Sequence, residues 1–211
     1  VPAGVFNLVQ GDGPGVGSAI SAHPGIDMVS FTGSTLMGRH VSEVTARRFG
    51  RSILELGGNN AIIVAEDADI ELAVRAILFA AVGTAGQRCT SLRRLFLHEK
   101  IAEQVLARLT KAYPSITIGN PLEEGILMGP LVNSNAVSQH MAALDAVREQ
   151  GGEILCGGGQ PDGPGFFVEP TIVQSQDPKS KLMVEEIFGP VLTIYVYPEK
   201  EFEETLHVCD Q

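Results

Sequence analysis

Two side chains in this sequence stand where they could do chemistry. Cys89 lies in Gly83-Thr84-Ala85-Gly86-Gln87-Arg88-Cys89-Thr90, a small, polar segment rich in glycine. An open backbone and the adjacent Arg88 cation suit a nucleophilic thiol, although a free cysteine is more often a small buried hydrophobe. Glu55 ends the run Ile53-Leu54-Glu55 just before Leu56-Gly57-Gly58. Turned inward, its carboxylate would be desolvated and usable as a general base. Turned outward, simple strand alternation accounts for it, and spacing alone favours the outward reading.

Two turns suit anions. Gly11, Gly13, Gly15 and Gly17 alternate through a turn between an apolar run and a helical pattern, but no G-x-G-x-x-G or GK[ST] register is met, so an ordinary Gly-Pro loop explains them equally well. In Phe31-Thr32-Gly33-Ser34-Thr35, hydroxyls and free N–H groups at a helix start suit a pyrophosphate; a plain N-cap is the commoner use of such residues. Histidines 23, 40, 98, 140 and 207 show no metal-ligand spacing and are expected at the surface or at caps.

The elements that must position these residues follow from periodicity. Strands are expected at Val5 to Gln10, Ile26 to Phe31, Ser52 to Leu56, Ala61 to Val64, Leu92 to His98, Glu153 to Cys156, Phe166 to Val173 and Val191 to Tyr197. Helices are expected at Val16 to Ala22, at Thr35 to Phe49, after Asp67 or Asp69 as far as Gly83, and at Ile101 to Tyr113. Two more are expected, around Val137, Met141, Leu144 and Val147, and from Glu199 onward. Strand, glycine-rich turn, helix, strand is the alternation of a parallel sheet covered on both faces, so the fold class is α/β.

The formal charge of −10 and the lack of a basic run argue against nucleic acid, and no apolar stretch approaches the roughly 20 residues of a membrane span. Three widely spaced cysteines argue against a disulfide framework or a zinc site and point to a reducing, cytoplasmic compartment. The first expected element is already a strand feeding a phosphate-type turn, and the last expected helix stops at Gln211 after barely three turns, so the sequence reads as a piece of a longer chain.

Three segments together resemble the signatures of the aldehyde dehydrogenase superfamily: Leu54-Glu55-Leu56-Gly57-Gly58-Asn59-Asn60, Gly86-Gln87-Arg88-Cys89 and Glu185-Glu186-Ile187-Phe188-Gly189-Pro190-Val191. Their order and spacing agree with that family, and the resemblance extends over the whole chain. The style of Gly58-Asn59-Asn60 and of Val82 to Cys89 is similar to the antiquitin-like enzymes that oxidise α-aminoadipic semialdehyde.

The resemblance implies a truncated three-layer α/β fold. Residues 1–57 would be the second half of a dinucleotide-binding domain, and 58–211 an incomplete catalytic domain. It implies Cys89 as nucleophile and Glu55 as base, with NAD or NADP as cofactor. Gly33 and Ser34 would bind the pyrophosphate, Leu56 and Gly57 would line the nicotinamide pocket, Glu186 would hold the ribose and Phe188 would pack beside the ring. Arg88 would meet the amino-acid end of the substrate. Glu55 and Cys89 should then converge on one space, and the oxyanion should meet the Cys89 N–H and an asparagine from a segment before Val1. The partners implied are a small aldehyde and further copies of the longer chain; the segment alone is expected to be inactive. A silent structural protein of the same fold, and a Cys/His hydrolase, are the rival readings.

Overall fold

A computed structural model describes residues 1–210. The chain divides into two compact units, Val1–Gly57 and Gly58–Gln211.

In the first unit, the π-helical turn Gly13–Gly17 leads into helix α1 (Ser18–Ala22), followed by strand β1 (Met28–Thr32), helix α2 (Thr35–Arg47) and strand β2 (Arg51–Glu55). The strands pair in parallel, Thr32 opposite Glu55. Helix α2 starts where Ser34 Oγ accepts the Met37 N–H at 3.3 Å, and it buries Gly38, Val41 and Thr45 on one face. A Cβ on Gly38 would lie 2.3 Å from a Leu56 methyl, so the absent side chain lets the helix close on the end of β2. The strand expected at Val5 to Gln10 does not form. These residues are irregular, with Phe6 and Leu8 more than four-fifths exposed, and no strand of the unit offers their backbone a ladder partner.

The second unit is a five-stranded sheet in three layers. Its elements are β3 (Asn60–Val64), α3 (Ile70–Val82), β4 (Leu92–His98), α4 (Glu99–Ala112), α5 (Ser134–Glu149), β5 (Glu153–Cys156), β6 (Thr171–Gln174), α6 (Lys181–Val184), β7 (Val191–Tyr197) and α7 (Phe202–Cys209). The strand order is β3-β4-β7-β6-β5. All neighbours are parallel except β5, which runs antiparallel to β6 at the edge, a departure from the all-parallel expectation that the Gly157–Pro170 loop, reversing the chain between the two strands, makes possible. The expected Phe166–Val173 strand shrinks to Thr171–Gln174, because Pro170 has no N–H to donate to a ladder.

Alternation sorts the two faces. Ile62, Val64, Leu95, Leu97, Ile172, Leu192 and Ile194 join the apolar stripes of α3 and α4. Phe96, Val173, Val191 and Tyr197 point the other way, toward Leu144 and Val147 of α5, Leu182 and Met183 of α6, and Val208 of α7. Leu95, Phe96 and Leu97 are fully buried, so β4 is the centre of the core and truncating any of them to alanine would cost about 2–5 kcal/mol. Helix starts follow from side-chain caps: Asp69 accepts the Leu72 N–H for α3, and Asn133 the Ala136 N–H for α5. No described helix is long and apolar enough to cross a membrane.

One expectation fails inside α5. His140 is a core residue, 1% exposed, with neither ring nitrogen hydrogen-bonded, and its ring packs on Gly189. It continues the buried stripe Val137, His140, Leu144, Val147, so helical spacing overrides its polarity. Burial pushes its pKa down from 6.5 to about 4. The unfolded chain therefore binds a proton that the folded chain refuses, and stability present above pH 6.5 is lost as pH falls toward 4, by about 2 kcal/mol between pH 7 and pH 5. Urea denaturation across that range should show this slope in the native sequence and its absence in His140→Leu; parallel pH dependences for the two would contradict the assignment.

Candidate active site

The three segments singled out in the second unit meet because of sheet topology. Gly58-Asn59-Asn60 leads into β3, the Cys89 segment into β4 and Glu185 to Pro190 into β7, and these three strands are adjacent and parallel. Their amino-terminal ends therefore lie side by side.

Helix α3 stops at Gly83, and the chain turns through a 3₁₀ segment with Thr84, Ala85 and Gly86 all at positive φ, between 52° and 67°. Two non-glycine residues in the left-handed region cost on the order of 1–2 kcal/mol each, so packing must impose the turn. Ala85 is buried, and a Cβ on Gly86 would sit 2.1 Å from the Gly189 carbonyl oxygen, so the turn presses directly on the backbone of the Glu185–Pro190 segment. Gln87 fixes the other side: its Nε2 donates to Pro130 O at 3.2 Å and its Oε1 accepts the Val132 N–H at 2.9 Å.

Cys89 and Thr90 then form the exposed tip of a turn closed by Ser91 N–H to Arg88 O (3.1 Å) and Arg88 N–H to Ser91 Oγ (3.2 Å). Asn60 Nδ2 donates to Cys89 O at 2.6 Å and to Ser91 O at 2.9 Å. Gly58 leaves room for this, since a Cβ there would be 2.9 Å from Cys89 O. From the other side Arg93 donates to Arg88 O at 2.9 Å and to Gly86 O at 3.2 Å. The carbonyls of the turn are thus held by side chains, while the N–H groups of Cys89 and Thr90 have no acceptor among the described residues.

Arg93 can do this because of a bulge. Asn60 pairs with Leu92 and Ala61 with Arg94, so Arg93 is the extra residue of β4 and its side chain swings off the strand's alternation. The side chain is 4% exposed, and its guanidinium is ion-paired with Glu186 at 2.9 Å and lies 5.2 Å over the Phe188 ring. Burial pulls its pKa down and Glu186 pulls it back up. Glu186 Oε1 also accepts the Gly58 N–H at 3.3 Å, while Oε2 has no partner among the described residues. Next in sequence, Arg94 keeps the strand's alternation and reaches Asn59 O, Val208 O and Cys209 O, tying the last turn of α7 to the sheet.

The remaining residues of interest belong to the first unit. Gly33 and Ser34 follow β1, and Leu56 and Gly57 follow β2, so both pairs lie at the carboxyl ends of adjacent parallel strands, where open α/β sheets bind ligands. Ser34 caps α2, and the Thr35 and Leu36 N–H groups in that first turn lie before any intrahelical acceptor. Beside them Gly13, Pro14, Ser18, Leu36, Met37 and His40 line an open, largely apolar groove of about 590 Å³. Glu55 is exposed on the same strand face as Arg51 and Ile53, the outward alternation that spacing favours, and nothing within its unit buries the carboxylate. Among the described residues of its own unit, no histidine is hydrogen-bonded to Cys89 Sγ.

Sequence reasoning passed over Arg93 and gave Asn60 and Gln87 no role beyond membership of the signature segments. The visible signal was Arg93-Arg94 inside an otherwise apolar strand, since charges enter such strands only where acceptors await them.

The profile of the aldehyde dehydrogenase family matches residues 1–211. The chain is 46% identical over 201 residues to α-aminoadipic semialdehyde dehydrogenase of Bos taurus, covering 95% of this chain and 37% of that protein. It is 49% identical over 207 residues to aldehyde dehydrogenase family 7 member A1 of Pisum sativum, covering 98% and 40%. Among solved structures, aldehyde dehydrogenase C of Pseudomonas syringae, in complex with NAD+ and octanal, superimposes with a TM-score of 0.92 at 35% identity, over 99% of this chain and 43% of that one. Betaine aldehyde dehydrogenase of Staphylococcus aureus, in complex with NAD+, gives 0.90 at 31% identity, over 95% and 40%. The chain spans about two fifths of the length of the curated relatives it matches.

Gly86→Ala should destabilise the second unit by at least about 2 kcal/mol, combining the left-handed backbone with the collision at Gly189 O. Gly83→Ala, with φ of −54° and open space around it, should stay within about 0.5 kcal/mol of the native chain. Equal urea midpoints for the two variants would refute the role given to the turn.

Proposed function

The chain belongs to the aldehyde dehydrogenase family, and from that premise we propose that it supplies the nucleophile and the general base of an NAD(P)-dependent oxidation of an aldehyde to a carboxylate. The observation that carries this reading is the Cys89 turn: an exposed thiol at the tip, carbonyls tied back, and free N–H groups beside the sulfur. That is the arrangement needed by a group that attacks a carbonyl and must stabilise the oxygen anion it creates.

The first unit supports a dinucleotide. Its open apolar groove adjoins the N–H groups at the start of α2, which suits a molecule with an apolar ring and a phosphate. Gly33 and Ser34 would hold the pyrophosphate, and Leu56 and Gly57 would line the nicotinamide pocket. Glu186, with Oε2 free, would bind the ribose, and Phe188 would pack beside the ring. When bound, the cofactor supplies the acceptor for the hydride removed from the substrate carbon.

The chain's own residues do the rest. Cys89 loses its thiol proton to water, its sulfur bonds to the aldehyde carbon as the C=O π bond opens, and the carbonyl oxygen, now an anion, is received by the Cys89 N–H. Once that carbon is oxidised it is held on sulfur as a thioester. Glu55 takes a proton from the water that attacks the thioester, the carbon–sulfur bond breaks, and the carboxylate departs as Cys89 is restored. The relatives named as α-aminoadipic semialdehyde dehydrogenases support a semialdehyde substrate, and Arg88, exposed next to the nucleophile, would meet its charged amino-acid end.

In the longer enzyme that carries this segment, Cys89→Ala should lower kcat by about 10⁴-fold or more with cofactor affinity little changed. Glu55→Gln should slow steady-state turnover and let an acyl-Cys89 adduct accumulate, detectable by mass spectrometry of quenched protein. Normal turnover in the first variant would remove the assignment; normal turnover in the second would remove Glu55 as base.

A further inference from the structure

We infer that Arg93 is a positioning residue for the anion-stabilising step: its guanidinium polarises the Arg88–Cys89 peptide, so the Cys89 N–H becomes a stronger donor to the oxygen anion formed when Cys89 attacks a carbonyl. This deepens the proposed function and rests on Cys89 being the nucleophile.

Arg88 O and Cys89 N belong to the same amide, and Arg93 donates to that oxygen at 2.9 Å, with the Ser91 N–H as a second donor at 3.1 Å. A charged donor on an amide oxygen draws electron density toward oxygen and leaves the N–H more positive; hydrogen bonds in series through an amide strengthen one another. The local dielectric amplifies this, because the Arg93 side chain is 4% exposed. The Cys89 N–H itself has no acceptor among the described residues, so its donor capacity is unspent.

The arrangement is not the one a merely structural arginine would adopt. Arg93 Nε is buried without a partner among the described residues, while the two terminal nitrogens serve the Cys89 turn and Glu186. Satisfaction of the guanidinium as a whole is sacrificed to reach Arg88 O and Gly86 O. Arg94, one residue on, shows the structural alternative: all three of its nitrogens find carbonyls, two of them in the last turn of α7, and none belongs to the Cys89 turn.

The test compares two reactions of one sulfur. With p-nitrophenyl acetate, the thiolate adds to the ester carbonyl, an oxygen anion forms, p-nitrophenolate leaves and Cys89 is acetylated. With iodoacetamide, sulfur displaces iodide from carbon and no oxygen anion develops. Site-resolved mass spectrometry on the longer enzyme that carries this segment gives both rates for Cys89, with Cys156 and Cys209 as internal references. Arg93→Gln should lower the ratio of acetylation to alkylation about tenfold, Arg93→Lys should recover part of it, and Arg94→Gln should leave it unchanged. Equal falls in both rates, or an unchanged ratio in Arg93→Gln, would overturn the inference while leaving Cys89 as nucleophile. If Arg93→Gln does not fold, Arg93→Lys decides alone, with a drop of about threefold expected and none overturning it. A native Cys89 that acetylates no faster than Cys156 and Cys209 would instead overturn the nucleophile reading, and this inference with it.

Discussion

A buried guanidinium must be given acceptors, and at Arg93 the acceptors are the backbone of the Cys89 turn and the Glu186 carboxylate. One residue too many in β4 turns this side chain out of the strand's alternation and into the space between three loop segments. There it holds Gly86 O and Arg88 O of one segment and Glu186 of another, while Glu186 in turn receives the Gly58 N–H of the third. Loss of the cation would leave carbonyls and a carboxylate facing one another with nothing between them, which is why the three segments act as one body.

The sheet makes such a meeting possible. Strand order β3-β4-β7 places three parallel amino-terminal ends in a row, so segments far apart in the chain arrive as neighbours. The backbone is then bent to fit: consecutive left-handed residues at Thr84, Ala85 and Gly86 are held by the contact of Gly86 with Gly189, and Asn60 pins Cys89 O and Ser91 O from the β3 side. Strain of this kind is sustained only where the surroundings over-determine the conformation. In the first unit the parallel pair β1 and β2 offers its carboxyl ends instead, with the α2 cap beside them.

Much of this was legible in the sequence. Apolar periodicity, the caps Ser34 and Asp69 and the stop at Gly83 place most elements within a few residues, because these signals act locally. The three signature segments point to the family for the same reason, each being a short run with its own backbone demands. What local pattern could not show was long-range pairing. Val5 to Gln10 has strand composition but no partner strand in its unit, and Pro170 shortens β6. His140 reads as polar but lies on the buried stripe of α5. The bulge at Arg93 depends on register against β3, which no run of residues within β4 reveals, so the residue on which the site hangs was passed over while the adjacent Arg88 drew attention.

The central claim is that the Cys89 turn is a preformed cradle for an oxygen anion, held from behind by Arg93 and Asn60. A crystal structure of the longer enzyme that carries this segment, with Cys89 acetylated, tests it most directly. The account requires the acyl oxygen at about 2.7–3.1 Å from the Cys89 backbone nitrogen, with Arg93 still bonded to Arg88 O. An acyl oxygen turned to bulk solvent, or an Arg93 withdrawn from the turn, would contradict it.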